Sequence, residues 1–148
     1  LLAVALDGRA IMDIIEQTDK ICLSAVTQNG MVLEYVKHQT DEICIAAVME
    51  NGMALKFVEN QTREICLIAI GQCGYALHYL KNQTDEICLV AVRKHAMALK
   101  CVLNQTELVC LFAIQNRTDA LKYVKNKTDI INFFVECSLN SNTELEFD

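Results

Sequence analysis

The chain has no proline, no tryptophan and only five glycines in 148 residues. Without proline nothing removes an amide from a helix interior or forces a kink, so uninterrupted helices are favoured. Cations are also short: 13 Lys and Arg stand against 19 Asp and Glu, for a net charge of −6. That balance argues against a phosphate backbone as the main partner, because nucleic-acid binding draws on clustered Lys and Arg. No apolar run reaches the roughly 18 residues a membrane span needs, so no membrane partner is expected. No secretory or lipidation pattern is present. What is abundant is apolar residues, 53% of the chain, enough for a core and too many for a disordered tail.

One phrase recurs. "HQTDEIC" occupies 38 to 44, "NQTREIC" 60 to 66 and "NQTDEIC" 82 to 88. Thr18, Thr40, Thr62, Thr84, Thr106 and Thr128 are spaced by 22 residues without an insertion, and Cys22, Cys44, Cys66, Cys88 and Cys110 keep the same step. Gly8, Gly30, Gly52 and Gly74 form another ladder, continued by Ala96 and Thr118, and Leu33, Leu55, Leu77, Leu99 and Leu121 form a third. A fixed period between about 20 and 50 residues is the signature of a stacked array.

Within one copy, Thr40 is placed to cap a helix, with Asp41 and Glu42 at its positive end. Ile43, Cys44, Ala47 and Val48 follow at helical spacing. Asn51-Gly52 is expected to close this helix, with Gly52 in the left-handed conformation. A second helix then runs through Met53, Ala54, Leu55, Phe57 and Val58, and Asn60 is expected to end it, again left-handed. The first helix is apolar nearly all round, "ICLIAI" at 65 to 70, so neighbouring copies must cover it. The expected fold is therefore all-α: a solenoid of about six stacked helix-turn-helix repeats. A leucine-rich repeat has a similar period, but needs L-x-x-L-x-L-x-x-N and a strand's alternation, and this chain has neither. Residues 1–137 are read as a single repeat domain. "LLAVALDG" at 1 to 8 aligns with 23 to 30, so its N-terminal end is expected to be truncated mid-repeat. Residues 138–148 are read as a C-terminal tail.

The cysteine ladder invites a metal or a disulfide, and geometry opposes both. Equivalent residues of stacked helices lie about 8–10 Å apart, whereas a disulfide needs Cα atoms within about 7 Å. No C-x-x-C pair is present for zinc. The thiols are read as small buried hydrophobes, and no metal or cofactor is expected. So many unpaired cysteines point to an intracellular reducing compartment and against secretion. The N-x-T matches, such as Asn60-Gln61-Thr62, are then helix junctions rather than glycosylation sites. No Ser-His-Asp order, phosphate loop or paired catalytic carboxylate stands out, so an enzyme is not expected.

Positions that share a register but differ in chemistry are the ones able to encode a partner. Thr27, Met49, Gly71, Arg93 and Gln115 form one such column. Lys56, His78, Lys100 and Lys122 form another, flanked by Lys37, Lys81 and Lys125, and together they read either as a basic ridge for an acidic partner or as a solvated face. Met49, Arg93, Gln115, Lys56, His78, Lys100 and Lys122 are the candidate binding surface.

The stretches "AVTQNGMVL" and "AVMENGMAL", and "EICLIAI…ALHYLKNQTDEICLVAV", resemble a domain of unknown function. That domain is built of short helical repeats of the form E-x-x-L-x-A-V-x-x-N-G-x-A-L-x-Y and is abundant in giant DNA viruses of amoebae. The similarity covers nearly all of residues 1 to 135, though "AVRKHAMAL" and "AIQNRTDAL" lack the Asn-Gly pair. It implies a repeat scaffold of viral origin, in host cytoplasm or virion, and carries no activity to transfer. The expected function is a scaffold that binds another protein. The alternative is a structural component that associates with itself or with a viral particle.

Overall fold

The structure, a computed structural model, describes residues 7–143, with side chains to 138. Among these residues it is wholly helical, with two kinds of helix in strict alternation. Six short helices, η1 (Gly8–Asp13), η2 (Gly30–Tyr35), η3 (Gly52–Phe57), η4 (Gly74–Tyr79), η5 (Ala96–Cys101) and η6 (Thr118–Tyr123), alternate with six α-helices. These are α1 (Asp19–Gln28), α2 (Asp41–Glu50), α3 (Arg63–Gln72), α4 (Asp85–Lys94), α5 (Glu107–Asn116) and α6 (Asp129–Thr143). Each α-helix packs on the α-helix of the next copy and each short helix on the next short helix, and α1 to α5 also pack on the short helices flanking them. The result is a two-rowed solenoid with the 22-residue period of the sequence.

The second helix of each copy is where the expectation needs correction. It is a 3₁₀-helix, closed by i→i+3 bonds such as Ala54 N–H to Asn51 O at 2.8 Å and Val58 N–H to Leu55 O at 3.2 Å. The pattern explains it. Gly52, Leu55 and Val58 are buried while Lys56 and Glu59 are exposed, a period of three that matches the three residues per turn of a 3₁₀-helix. Six residues rising about 2.0 Å each also nearly match the length of a ten-residue α-helix at about 1.5 Å each. The two rows therefore stay in step.

The junctions differ from expectation too. No described residue has a positive φ. Asn51 is extended, at φ −144° and ψ 107°, and its side chain caps η3 by accepting the N–H of Met53 at 3.0 Å. Gly52 is the first residue of η3, and what it avoids is a collision rather than backbone strain. A Cβ there would overlap the carbonyl oxygen of Ala69 in the next copy. Gly30 stands in the same relation to the carbonyl of Ala47. Asn60 is exposed and not left-handed. The threonine caps are as the sequence indicates: Thr40 Oγ1 accepts the N–H of Ile43 at 3.3 Å, and Thr62 that of Ile65 at 3.4 Å.

The core is a continuous apolar column. Ile43, Cys44, Ala47 and Val48 from the α row meet Ala54, Leu55 and Val58 from the other row, and the copies through α5 repeat the set with small changes, whereas in α6 the exposed Asn132 and Glu136 replace Cys44 and Val48. Among the described residues no polar or charged side chain is buried.

A second ladder, of glutamines, ties the copies together. The Gln61 amide donates to the carbonyls of Leu55 at 3.2 Å and Tyr79 at 3.0 Å, and its oxygen accepts the N–H of Lys81 at 3.0 Å. One side chain thus joins two successive 3₁₀-helices at the end where neither has further intrahelical partners. Gln83 does the same for Leu77, Cys101 and Leu103, and Gln105 for Leu99, Tyr123 and Lys125. Lys127 stands in this register in the last copy. The "NQT" phrase therefore contains a glutamine clamp followed by a threonine cap.

α6 runs on to Thr143, so the helix continues through residues 138–143 of the expected tail. The rest of the tail, 144–148, and the opening stretch 1–6 lie outside the described residues.

Candidate interaction surface

The ladder cysteines turn inward. Cys22, Cys44, Cys66, Cys88 and Cys110 are buried as free thiols. Burial pushes all five thiol pKa values up, Cys44 to about 11, where Asp41 and then Glu59 add to the effect of desolvation. A raised pKa keeps a thiol protonated and unreactive. Among the described residues no group of three or more His, Cys, Asp or Glu is placed to hold a metal ion, and no helix is long and apolar enough to cross a membrane.

The candidate columns are on the surface, though they do not form one ridge. Met49, Arg93 and Gln115 are exposed near the C-terminal ends of α2, α4 and α5. Lys56, His78, Lys100 and Lys122 are exposed on the 3₁₀ row, and three of them lie over aromatic rings. Lys56 Nζ stands 4.3 Å from the centre of Phe57, Lys100 Nζ 4.6 Å from Tyr75, and Lys122 Nζ 5.0 Å from Tyr123. His78 meets Tyr79 edge-on. The flanking lysines do not belong to a basic ridge. Lys81 Nζ donates to the carbonyl of Glu59 at 2.6 Å, Lys37 Nζ to Ile15 at 3.1 Å, and Lys125 Nζ to Val102 and Leu103. They bind backbone one copy back, where carbonyls at helix ends need donors.

Several concavities lie between copies. One, about 390 Å³, is lined by Gly71, Val90, Arg93 and Lys94. Another, about 500 Å³, is lined by Glu59, Arg63, Lys81 and Glu86 among others, but its charges cancel. Arg63 is paired to Glu86 and Lys81 is held by the Glu59 carbonyl. A groove of about 300 Å³ includes Lys56, Glu34, Arg9 and Met31, again of mixed sign. The cleft that shares Arg93 and Lys94 with the first, about 350 Å³, differs from the other two: Arg93, Lys94, His95 and Arg117 line it with Tyr75 and Met97, and no acid does. Tyr75 stacks on His95 with ring centres 6.1 Å apart and carries Lys100 on its other contact. Of the sequence-selected residues, then, Arg93 and Lys100 are brought together around Tyr75. Lys56 lies in another groove, and Met49, His78 and Lys122 stand apart.

Two signals for this cleft are present in the sequence and are easily missed. His95 and Arg117 occupy the register of Asn29 and Asn51, and Cys73 occupies it between them. Charge is also segregated along the chain. Residues 65–128 carry eight Lys and Arg against four Asp and Glu, whereas residues 1–64 carry five against ten. The net charge of −6 conceals a cationic stretch.

A family model described as "Domain of unknown function (DUF4116)" matches residues 18–63 and, overlapping them, 41–83. Its two placements fall about one repeat apart, as an array of equivalent copies requires. No curated protein and no solved structure matches the chain.

Proposed function

We propose that the chain is a non-enzymatic helical-repeat scaffold that binds a protein partner through the exposed, chemically varied columns of its two rows. One observation carries this reading. The repeating apolar residues, glutamines, threonines and glycines are committed to the frame, as core, clamp, cap or close approach, while the varied columns of Thr27, Met49, Arg93 and Gln115 and of Lys56, His78, Lys100 and Lys122 are exposed. Met49 and Arg93 share a register position and are both exposed, yet one is apolar and the other cationic. Such a frame holds side chains at fixed intervals with little ordering cost on binding. The buried ladder thiols favour a reducing compartment for it. Affinity capture with the wild-type chain and with an Arg93→Ala/Lys100→Ala variant of unchanged melting temperature tests the reading. A partner retained by the first and lost by the second supports it. Identical capture by both, together with growth of the chain's own assemblies, sinks it.

A second reading, self-assembly, has its own observation. The register filled by Glu42, Glu64 and Glu86 is taken over by Leu108 and Ile130, and Phe133 is 67% exposed beside Ile130. Apolar patches of this kind mark association surfaces. Light scattering over a wide concentration range separates the two: a constant monomer mass removes the second reading, and a mass that rises with concentration removes the first.

A further inference from the structure

We infer that the cleft between the fourth and fifth α-helices receives a short acidic segment of the protein partner. The inference rests on the scaffold reading and specifies one of its surfaces. Arg93 and Lys94 form the last turn of α4, where the helix dipole by itself favours cations. His95 and Arg117 are the C-caps of α4 and α5, so the dipole favours cations there too; what it does not account for is the capping bond lost at both. Where Asn29 and Asn51 cap their 3₁₀-helices with a side-chain hydrogen bond, His95 and Arg117 make none. The cap is absent at three successive junctions, Cys73, His95 and Arg117, and at the last two the replacement is a basic side chain that lines the same cleft. Asp119 is held by Arg117 through two hydrogen bonds at 3.1 and 3.0 Å, and among the described residues no ion pair joins Arg93 or Lys94 to an acid. Tyr75, stacked on His95 and lying under Lys100, lines the cleft as a flat apolar surface.

An anion is the chemistry that satisfies this set, and its source is a protein segment rather than a nucleic acid. The cationic track is only two copies long. On the same edge the register of Lys94 is held by Gln28, Glu50 and Gln72 in earlier copies, so a polyanion following the edge would meet a carboxylate. A few Asp or Glu side chains on an extended segment fit the interval. His95 and Arg117 share a register in adjacent copies, about 8–10 Å apart, a gap that about three extended residues cover.

Fluorescence anisotropy of fluorescein-labelled octaglutamate against the whole chain tests the proposal. Saturable binding is expected, weakening with salt, and falling at least about tenfold in Arg93→Glu/Lys94→Glu, since each charge contact is screened and local. Lys20→Glu/Lys127→Glu makes the same change in net charge away from the cleft and is expected to stay within about twofold of wild type. Melting temperatures of both variants check that the fold is kept. Absence of saturable binding, or equal weakening by both pairs, overturns the proposal. So does a thymidine decamer that binds more tightly than the peptide with the same dependence on Arg93. If octaglutamate fails while a captured partner is still released by changes at Met49 or Lys56, the cleft is wrong and the scaffold reading stands. A mass that grows without any partner removes the scaffold reading itself.

Discussion

Gly52 approaches the carbonyl of Ala69 so closely that no side chain fits between them. The contact joins the start of one 3₁₀-helix to the α-helix of the following copy and sets how near two copies can come. Gly71 is the contrast: it lies within α3, and a Cβ added there would meet nothing within 4 Å. Gly52→Ala is therefore expected to lose about 1–3 kcal/mol, the usual cost of overpacking a close contact. Gly71→Ala is expected to gain up to about 1 kcal/mol from helix propensity. Urea melts of the two variants check this, and equal effects would show that the Gly ladder is not steric.

The glutamine clamps predict an unusual pH dependence. Gln61→Leu removes three hydrogen bonds and leaves the Tyr79 carbonyl and the Lys81 N–H without their partner, for a loss of about 1–3 kcal/mol. Gln61→Glu places a carboxylate against two carbonyl oxygens, so its folded pKa is expected to rise above the ordinary value near about 4.3. The sign follows directly. The folded state then holds a proton that the unfolded state has released, so the deficit is smallest below about pH 4 and grows as pH rises through the folded pKa. Thermal melts of wild type and variant at about pH 4 and about pH 7 measure it, and a deficit independent of pH would mean that the carboxylate turns out to solvent.

The raised thiols act at the other end of the scale. Cys44 is pushed up to about 11 from 9.0, mainly by burial. Below about pH 9 both states keep the proton and the contribution is complete; between about 9 and 11 the unfolded thiol ionises first, so stability falls as pH rises. Wild type is expected to lose more stability over that interval than Cys44→Ala. At neutral pH an alkylating reagent should modify the half-buried Cys73 and the exposed Cys137 well before the five ladder thiols. Mass spectrometry after a timed pulse reads the order, and early labelling of Cys44 would place it outside the core.

Frame and surface should separate under mutation. Leu55 is fully buried, and Leu55→Ala is expected to cost about 2–5 kcal/mol. Lys100→Ala, exposed and held only over Tyr75, is expected to change stability by no more than about 1 kcal/mol. Chemical denaturation of both compares them directly; similar losses would mean that Lys100 belongs to the frame.

The 22-residue period, the threonine caps and the inward face of each copy follow from the chain itself. They depend on local spacing and on which side chains avoid water, and Ile43, Cys44, Ala47 and Val48 declare both. The glutamine clamp is written in the same phrase but stays silent there, because its partners lie 18 and 20 positions away at Tyr79 and Lys81. Only stacking decided that Gly52 serves a close approach instead of a left-handed turn, since the atom it avoids belongs to the next copy. Stacking also decided which variable positions share a site. Arg93, His95, Lys100 and Arg117 are scattered over 25 residues of sequence, and they meet around Tyr75 because the copies pile up in register and bring one junction beside the next.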